Sequence, residues 1–181
     1  MLWILVGTGA FGLLFLFEYQ KCRSVHRDST GKNPWFLAGT LVLLLACAAL
    51  GRRSVRSQGI QLLAGVLVLI TGLAFYAVVL SIVSEPKGYT RDSKKLPVCR
   101  SGIYGRMRHP GVWSFLMCGV GYGMIFPDVL IPALWFAFLN LVYTWFQDRC
   151  FFPVYLEGYE QYRKEVPYLF PRKPGAECDQ G

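Results

Sequence analysis

Charge and histidine are what this chain has least of. Its 181 residues carry nineteen basic and eleven acidic side chains, two histidines and no Cys-x-x-Cys pair. Without paired cysteines, and with His26 and His109 far apart in sequence, the ligand spacing of a zinc centre is missing, so no metal is expected. Charge is absent altogether from five stretches: residues 2–17, 35–50, 59–83, 111–126 and 129–146. A soluble domain of this length carries shorter apolar runs and more charge.

What is present is apolar length. About 20 residues of helix cross a ~30 Å hydrocarbon core. The third run meets that outright, and the others reach the interface with help from flanking Tyr, Trp or Arg. The reading is an all-α, polytopic membrane protein with five transmembrane helices. Residues 1–171 form a single domain and 172–181 a flexible tail. The first run has no basic leader and no small-x-small cleavage site, so it is expected to be retained as a helix.

Orientation follows from the basic residues. The connections after helices one and three and the C-terminal segment hold sixteen Lys and Arg, against three (Arg52, Arg53, Arg56) on the other face. The richer face is the cytoplasmic one, which puts the N-terminus outside and the C-terminus in the cytoplasm. The basic excess is thus assigned to topology and anionic lipid, with no nucleic-acid partner expected. Cys22, Cys99, Cys150 and Cys178 fall on this reducing face, while Cys47 and Cys118 lie within spans.

Local punctuation sharpens the helices. Asn33-Pro34 supplies a cap and first-turn proline for helix two, and Gly51 a stop. Residues 85–88 break helix three, Pro110 opens helix four and Pro127-Asp128 turns the chain into helix five. Gly7-Thr8-Gly9-Ala10-Phe11-Gly12 has the spacing of a dinucleotide fingerprint. It runs on into more apolar helix rather than a βαβ unit, so close helix packing explains it better. Tyr155, Tyr159, Tyr162 and Val166 recur at helical spacing, with Glu160 and Lys164 at i, i+4 elsewhere, so a short interfacial C-terminal helix ending at Pro167 is expected. No ionisable side chain is expected inside a span, which disfavours a transporter.

Two polar segments hold nearly all the chemistry. One is Gly102-Ile103-Tyr104-Gly105-Arg106-Met107-Arg108-His109-Pro110, and the other runs from Gly158 to Pro167. Arg108-His109-Pro110 alone reads as a lipid-phosphate contact followed by a helix start. The order is more specific: Gly-x-Tyr, Arg-His-Pro, an apolar hairpin, then Tyr-x-x-Tyr ahead of Val-Pro. Over roughly residues 96–171 it resembles the isoprenylcysteine carboxyl methyltransferase and phospholipid methyltransferase family of integral membrane enzymes.

That resemblance implies an S-adenosylmethionine site at the cytoplasmic ends of the last helices, with a lipidic or lipidated substrate entering sideways. It implies catalytic roles for Arg108 and His109. The cofactor pocket would take in Tyr104, Arg108, His109, Pro110, Trp145, Gln147 and Asp148, with Trp113, Tyr159 and Tyr162 toward the acceptor. Gln147-Asp148 stands where the family usually has two glutamates, and Val112 where tyrosine is common. The implied reaction is methyl transfer to a hydrophobic acceptor, foremost carboxyl O-methylation of an isoprenylcysteine-like substrate. The alternatives are phospholipid amine N-methylation, a non-catalytic membrane binding protein, and a reductase holding a nicotinamide cofactor. The membrane would be a bacterial inner membrane or the endoplasmic reticulum.

Overall fold

A computed structural model of the chain describes residues 1–27, 34–54, 56, 58–83 and 96–171. The Asn33 cap, the break at 85–88 and the tail 172–181 lie outside them. Five helices form over the five apolar runs: α1 (Leu2–Arg27), α2 (Trp35–Gly51), α3 (Ile60–Val83), α4 (Pro110–Ile125) and α5 (Leu130–Phe146). Gly51 ends α2 as expected, Pro110 occupies the first turn of α4, and Pro127–Val129 forms a single 3₁₀ turn between α4 and α5.

Three segments are long and apolar enough to cross a membrane: Leu2–Arg23, Ile60–Ser81 and Pro127–Tyr155. They mark the chain as a membrane protein. At about 1.5 Å per residue, the 17 residues of α2 and the 16 of α4 fall a little short of the hydrocarbon thickness. The first span contains Glu18, almost wholly buried at 2% exposure. The expectation of spans without ionisable side chains therefore fails there.

The helices pack in the order α2, α1, α5, α4, α3. Small residues set the closest approach. A Cβ on Gly121 of α4 would stand 2.5 Å from the Leu69 backbone nitrogen, and one on Gly65 of α3 would stand 2.9 Å from the Gly121 carbonyl. The two backbones touch, as small-residue interfaces in membranes allow. Of the fingerprint glycines only Gly7 is enclosed, by the Phe136 ring of α5; Gly9 and Gly12 face open space. A core of Ala10, Phe11, Leu14, Leu43, Phe136 and Tyr143 joins α1, α2 and α5.

Beyond α5 the helix changes character. Gln147–Phe151 is a π-turn, in which the Phe152 N–H reaches back five residues to the Gln147 carbonyl. Pro153 accounts for it: a proline has no N–H and its ring collides with the carbonyl four residues earlier, here Arg149, so the turn widens. The chain continues through α6 (Phe152–Tyr155), a two-residue strand β2 (Leu156–Glu157) paired in parallel with β1 (Leu96–Pro97), and α7 (Tyr159–Glu165). Gly158, at φ 68°, takes the left-handed turn between β2 and α7.

The tyrosine periodicity is thus not one helix. Tyr155 belongs to α6, while Tyr159 and Tyr162 belong to α7. All three are buried nonetheless, with Tyr159, Tyr162 and Val166 packed on Val98, Phe152 and Leu156. Glu160 pairs with Arg163 rather than Lys164, and Glu165 reaches across to Arg100 at 2.5 Å.

Candidate functional site

The site forms where the chain entering α4 meets the end of α5 and the C-terminal segment. Val166 is extended, as a residue before proline prefers, and this lays residues 167–168 alongside 108–109. The Arg108 and His109 amides donate to the Pro167 and Tyr168 carbonyls at 3.0 and 3.2 Å. Trp113 Nε1 donates to the Leu169 carbonyl at 2.8 Å, and its ring meets Phe170 edge-on. Trp113 therefore anchors the C-terminal segment.

Asp148, carried by the π-turn, is the centre. Its Oδ1 accepts hydrogen bonds from Arg108 Nη1, from His109 Nε2 at 3.2 Å and from the Tyr159 hydroxyl at 2.6 Å. Residue 108 lies forty positions before 148, and 159 eleven after it, and the three meet at one oxygen atom. Asp148 is 2% exposed and His109 6%, so the pairing is made in a medium where charge is costly. A carboxylate partner puts the imidazole proton on Nε2.

Aromatic rings enclose the histidine. Phe152 stacks parallel to it at 5.7 Å between centroids, and Tyr168 meets it edge-on at 4.9 Å. Burial lowers the His109 pKa from its ordinary 6.5, against the upward pull of Asp148 and with Arg108 adding to the fall. The ring is therefore neutral at pH 7. Burial raises Tyr159 as well, Asp148 reinforcing it, which keeps that hydroxyl a donor.

Arg108 is not fully used. Its Nε is buried and has no partner among the described residues. The guanidinium keeps this N–H as a spare donor, and the three bonds to Asp148 all fall on Oδ1.

The other expected residues are distributed unevenly. Tyr104 sits in a 3₁₀ turn (Gly102–Gly105), where its carbonyl accepts from the Tyr162 hydroxyl at 2.6 Å; its own phenol is pushed up to about 12, chiefly by burial. It is no base at neutral pH. Pro110 is buried at the start of α4 and Val112 is buried two residues on. Trp145 is 47% exposed and its ring contact is with neighbouring Phe146, so it stands on the outer side of α5 outside the Asp148 network.

Gln147 turns the other way. Its Nε2 donates at 2.6 Å to Oε1 of Glu18, which also accepts from the Tyr143 hydroxyl at 3.0 Å, while Oε2 accepts from the Tyr155 hydroxyl at 2.8 Å. Sequence reasoning missed Glu18, Phe152, Tyr143 and Tyr168 as parts of the site. Of these, Glu18 alone carries a signal in the sequence, as a carboxylate abutting sixteen uncharged residues. Among the described residues no group of three or more His, Cys, Asp or Glu gathers as a metal would require. Comparison with protein-family models, curated proteins and solved structures found no significant match.

Proposed function

We propose that this chain is a membrane-embedded methyltransferase that uses S-adenosylmethionine and acts on a hydrophobic or lipidated acceptor at the cytoplasmic face. The observation that carries the reading is the convergence of Arg108, His109 and Tyr159 on Asp148, with Arg108 Nε left over. The orphaned N–H fits the carboxylate of the cofactor, through a charge-assisted hydrogen bond. Asp148 Oδ2 fits a ribose hydroxyl or the cofactor's ammonium group. When bound, S-adenosylmethionine supplies an electrophilic methyl group on a cationic sulfonium.

The protein's part is binding and alignment. Holding two reactants in line contributes up to about 7–11 kcal/mol, so few titrating groups are needed. His109 is buried and neutral with its Nε2 proton turned to Asp148, so Nδ1 is the one imidazole lone pair left at the centre, and an ionised acceptor needs no base at all. An acceptor already ionised at pH 7 suits such a site. This favours carboxyl O-methylation of an isoprenylcysteine-like substrate over methylation of an amine. The five-span arrangement, N-terminus outside and C-terminus in the cytoplasm, belongs to the same proposal; sixteen basic residues against three support it.

The test is calorimetric titration of the detergent-purified protein with S-adenosylmethionine and, separately, NADPH. Micromolar binding of the first, weakened about tenfold or more in Arg108→Ala and His109→Ala, is expected. A folded wild-type protein that binds NADPH instead, or neither, overturns the reading.

A further inference from the structure

Glu18 lies in α1, 125 to 137 residues away from its three donors. Those donors are not scattered. Tyr143 is in the last turn of α5, Gln147 is the first residue of the π-turn, and Tyr155 ends α6. One carboxylate therefore brackets the widened turn from both sides. Cys22, one helical turn beyond Glu18, adds a weak contact from Sγ to the Phe151 carbonyl at 3.7 Å. Lys21 lies with Nζ 4.1 Å from the centre of the Tyr155 ring.

A π-turn has poorer backbone hydrogen bonding than an α-turn and persists where its surroundings over-determine it. Here the surroundings on the α1 side are Glu18. Asp148 follows Gln147 directly and faces the opposite way, toward Arg108, His109 and Tyr159. The direction in which Asp148 points is tied to the register of the turn, and the register is tied to α1.

We infer that Glu18 is a positioning residue: by holding Gln147, Tyr143 and Tyr155 it fixes the Gln147–Phe151 π-turn and so aims Asp148 at Arg108 and His109. The inference about the turn stands on geometry alone; only its consequence for binding rests on the proposed methyltransferase reading.

The experiment is amide hydrogen exchange on the full-length protein in detergent, with Glu18→Gln and the exchanged pair Glu18→Gln/Gln147→Glu. Replacing the carboxyl group by an amide takes away one of the two acceptor oxygens and sets an N–H₂ against the remaining donors, so exchange over residues 147–155 should accelerate about tenfold in Glu18→Gln, with residues 111–125 unchanged. The exchanged pair restores a carboxylate and a carboxamide facing each other, and protection should return to within about threefold of wild type. Unchanged exchange over 147–155, or equal acceleration over 111–125, overturns the positioning role.

If Glu18→Gln does not fold, Tyr155→Phe removes one donor and leaves the carboxylate. It should give the same localised pattern at about threefold, and a wild-type pattern overturns the inference. Titration with S-adenosylmethionine supplies the second arm. In a wild-type protein that binds, Glu18→Gln should weaken affinity about tenfold; undiminished affinity overturns the link to Asp148. If the wild type does not bind, the methyltransferase reading fails while the exchange result still decides the role of Glu18.

Discussion

Asp148 and Glu18 are both buried carboxylates that accept hydrogen bonds from three side chains, and they are built for different work. The donors to Asp148 include a guanidinium and an imidazole, gathered from the approach to α4 and from α7. The donors to Glu18 are two phenols and a carboxamide, all from the stretch that runs from the last turn of α5 to the end of α6. Around Asp148 all three bonds fall on Oδ1 and Arg108 keeps an N–H in reserve; around Glu18 both oxygens are engaged. The first arrangement has capacity for a ligand. The second is closed and holds its neighbours still.

The sharpest way to break the contrast is to delete the Asp148 carboxylate. Asp148→Ala strands Arg108 as a buried, unpaired cation, and breaking such a pair costs about 3–5 kcal/mol. Thermal unfolding in detergent should show the loss, and it should exceed that of Glu18→Gln, whose donors are neutral. An equal or smaller loss for Asp148→Ala would erase the distinction between the two centres.

A pH titration probes the same centre more gently. His109 is held below its ordinary 6.5 in the folded protein, so between that value and the depressed one the unfolded chain binds more protons than the folded chain. Its contribution to stability is complete above about pH 6.5 and is lost as pH falls toward the depressed value. Unfolding curves should move to lower temperature on acidification from pH 7 to 5, and less so in His109→Phe. A smaller effect should follow Trp113→Phe, which removes one bond to the Leu169 carbonyl, a loss of about 0.5–1.5 kcal/mol. Limited proteolysis should cut the segment after Pro167 sooner in that variant.

The same two centres show what a linear reading reaches. The five helices follow from uncharged runs, and their ends from Gly51, Pro110 and Pro127, because long apolar helices declare themselves residue by residue. Arg108 and His109 were legible in their motif by residue type, and Asp148 through the family resemblance that set its register. Glu18 was not. Its partners are more than a hundred residues away, and a carboxylate just past an uncharged run looks like an interface residue until Tyr143 and Tyr155 are seen around it. The π-turn was hidden for a related reason: Pro153 implies a distortion upstream, yet the side each of Gln147 and Asp148 faces depends on what α1 and α4 present. Trp145 is expected in the cofactor pocket by residue type, whereas the face of α5 it occupies is set by packing, and the tyrosine periodicity runs across Gly158, whose left-handed backbone splits it between two helices.

Methyl transfer itself tests the central claim most directly. The full-length protein in lipid vesicles would be supplied with methyl-labelled S-adenosylmethionine, a farnesylcysteine analogue with a free carboxylate, and phosphatidylethanolamine. The expected result is label in a base-labile ester of the cysteine analogue, abolished by Arg108→Ala. Label accumulating on the phospholipid amine, or no transfer by a folded protein that binds the cofactor, would contradict it.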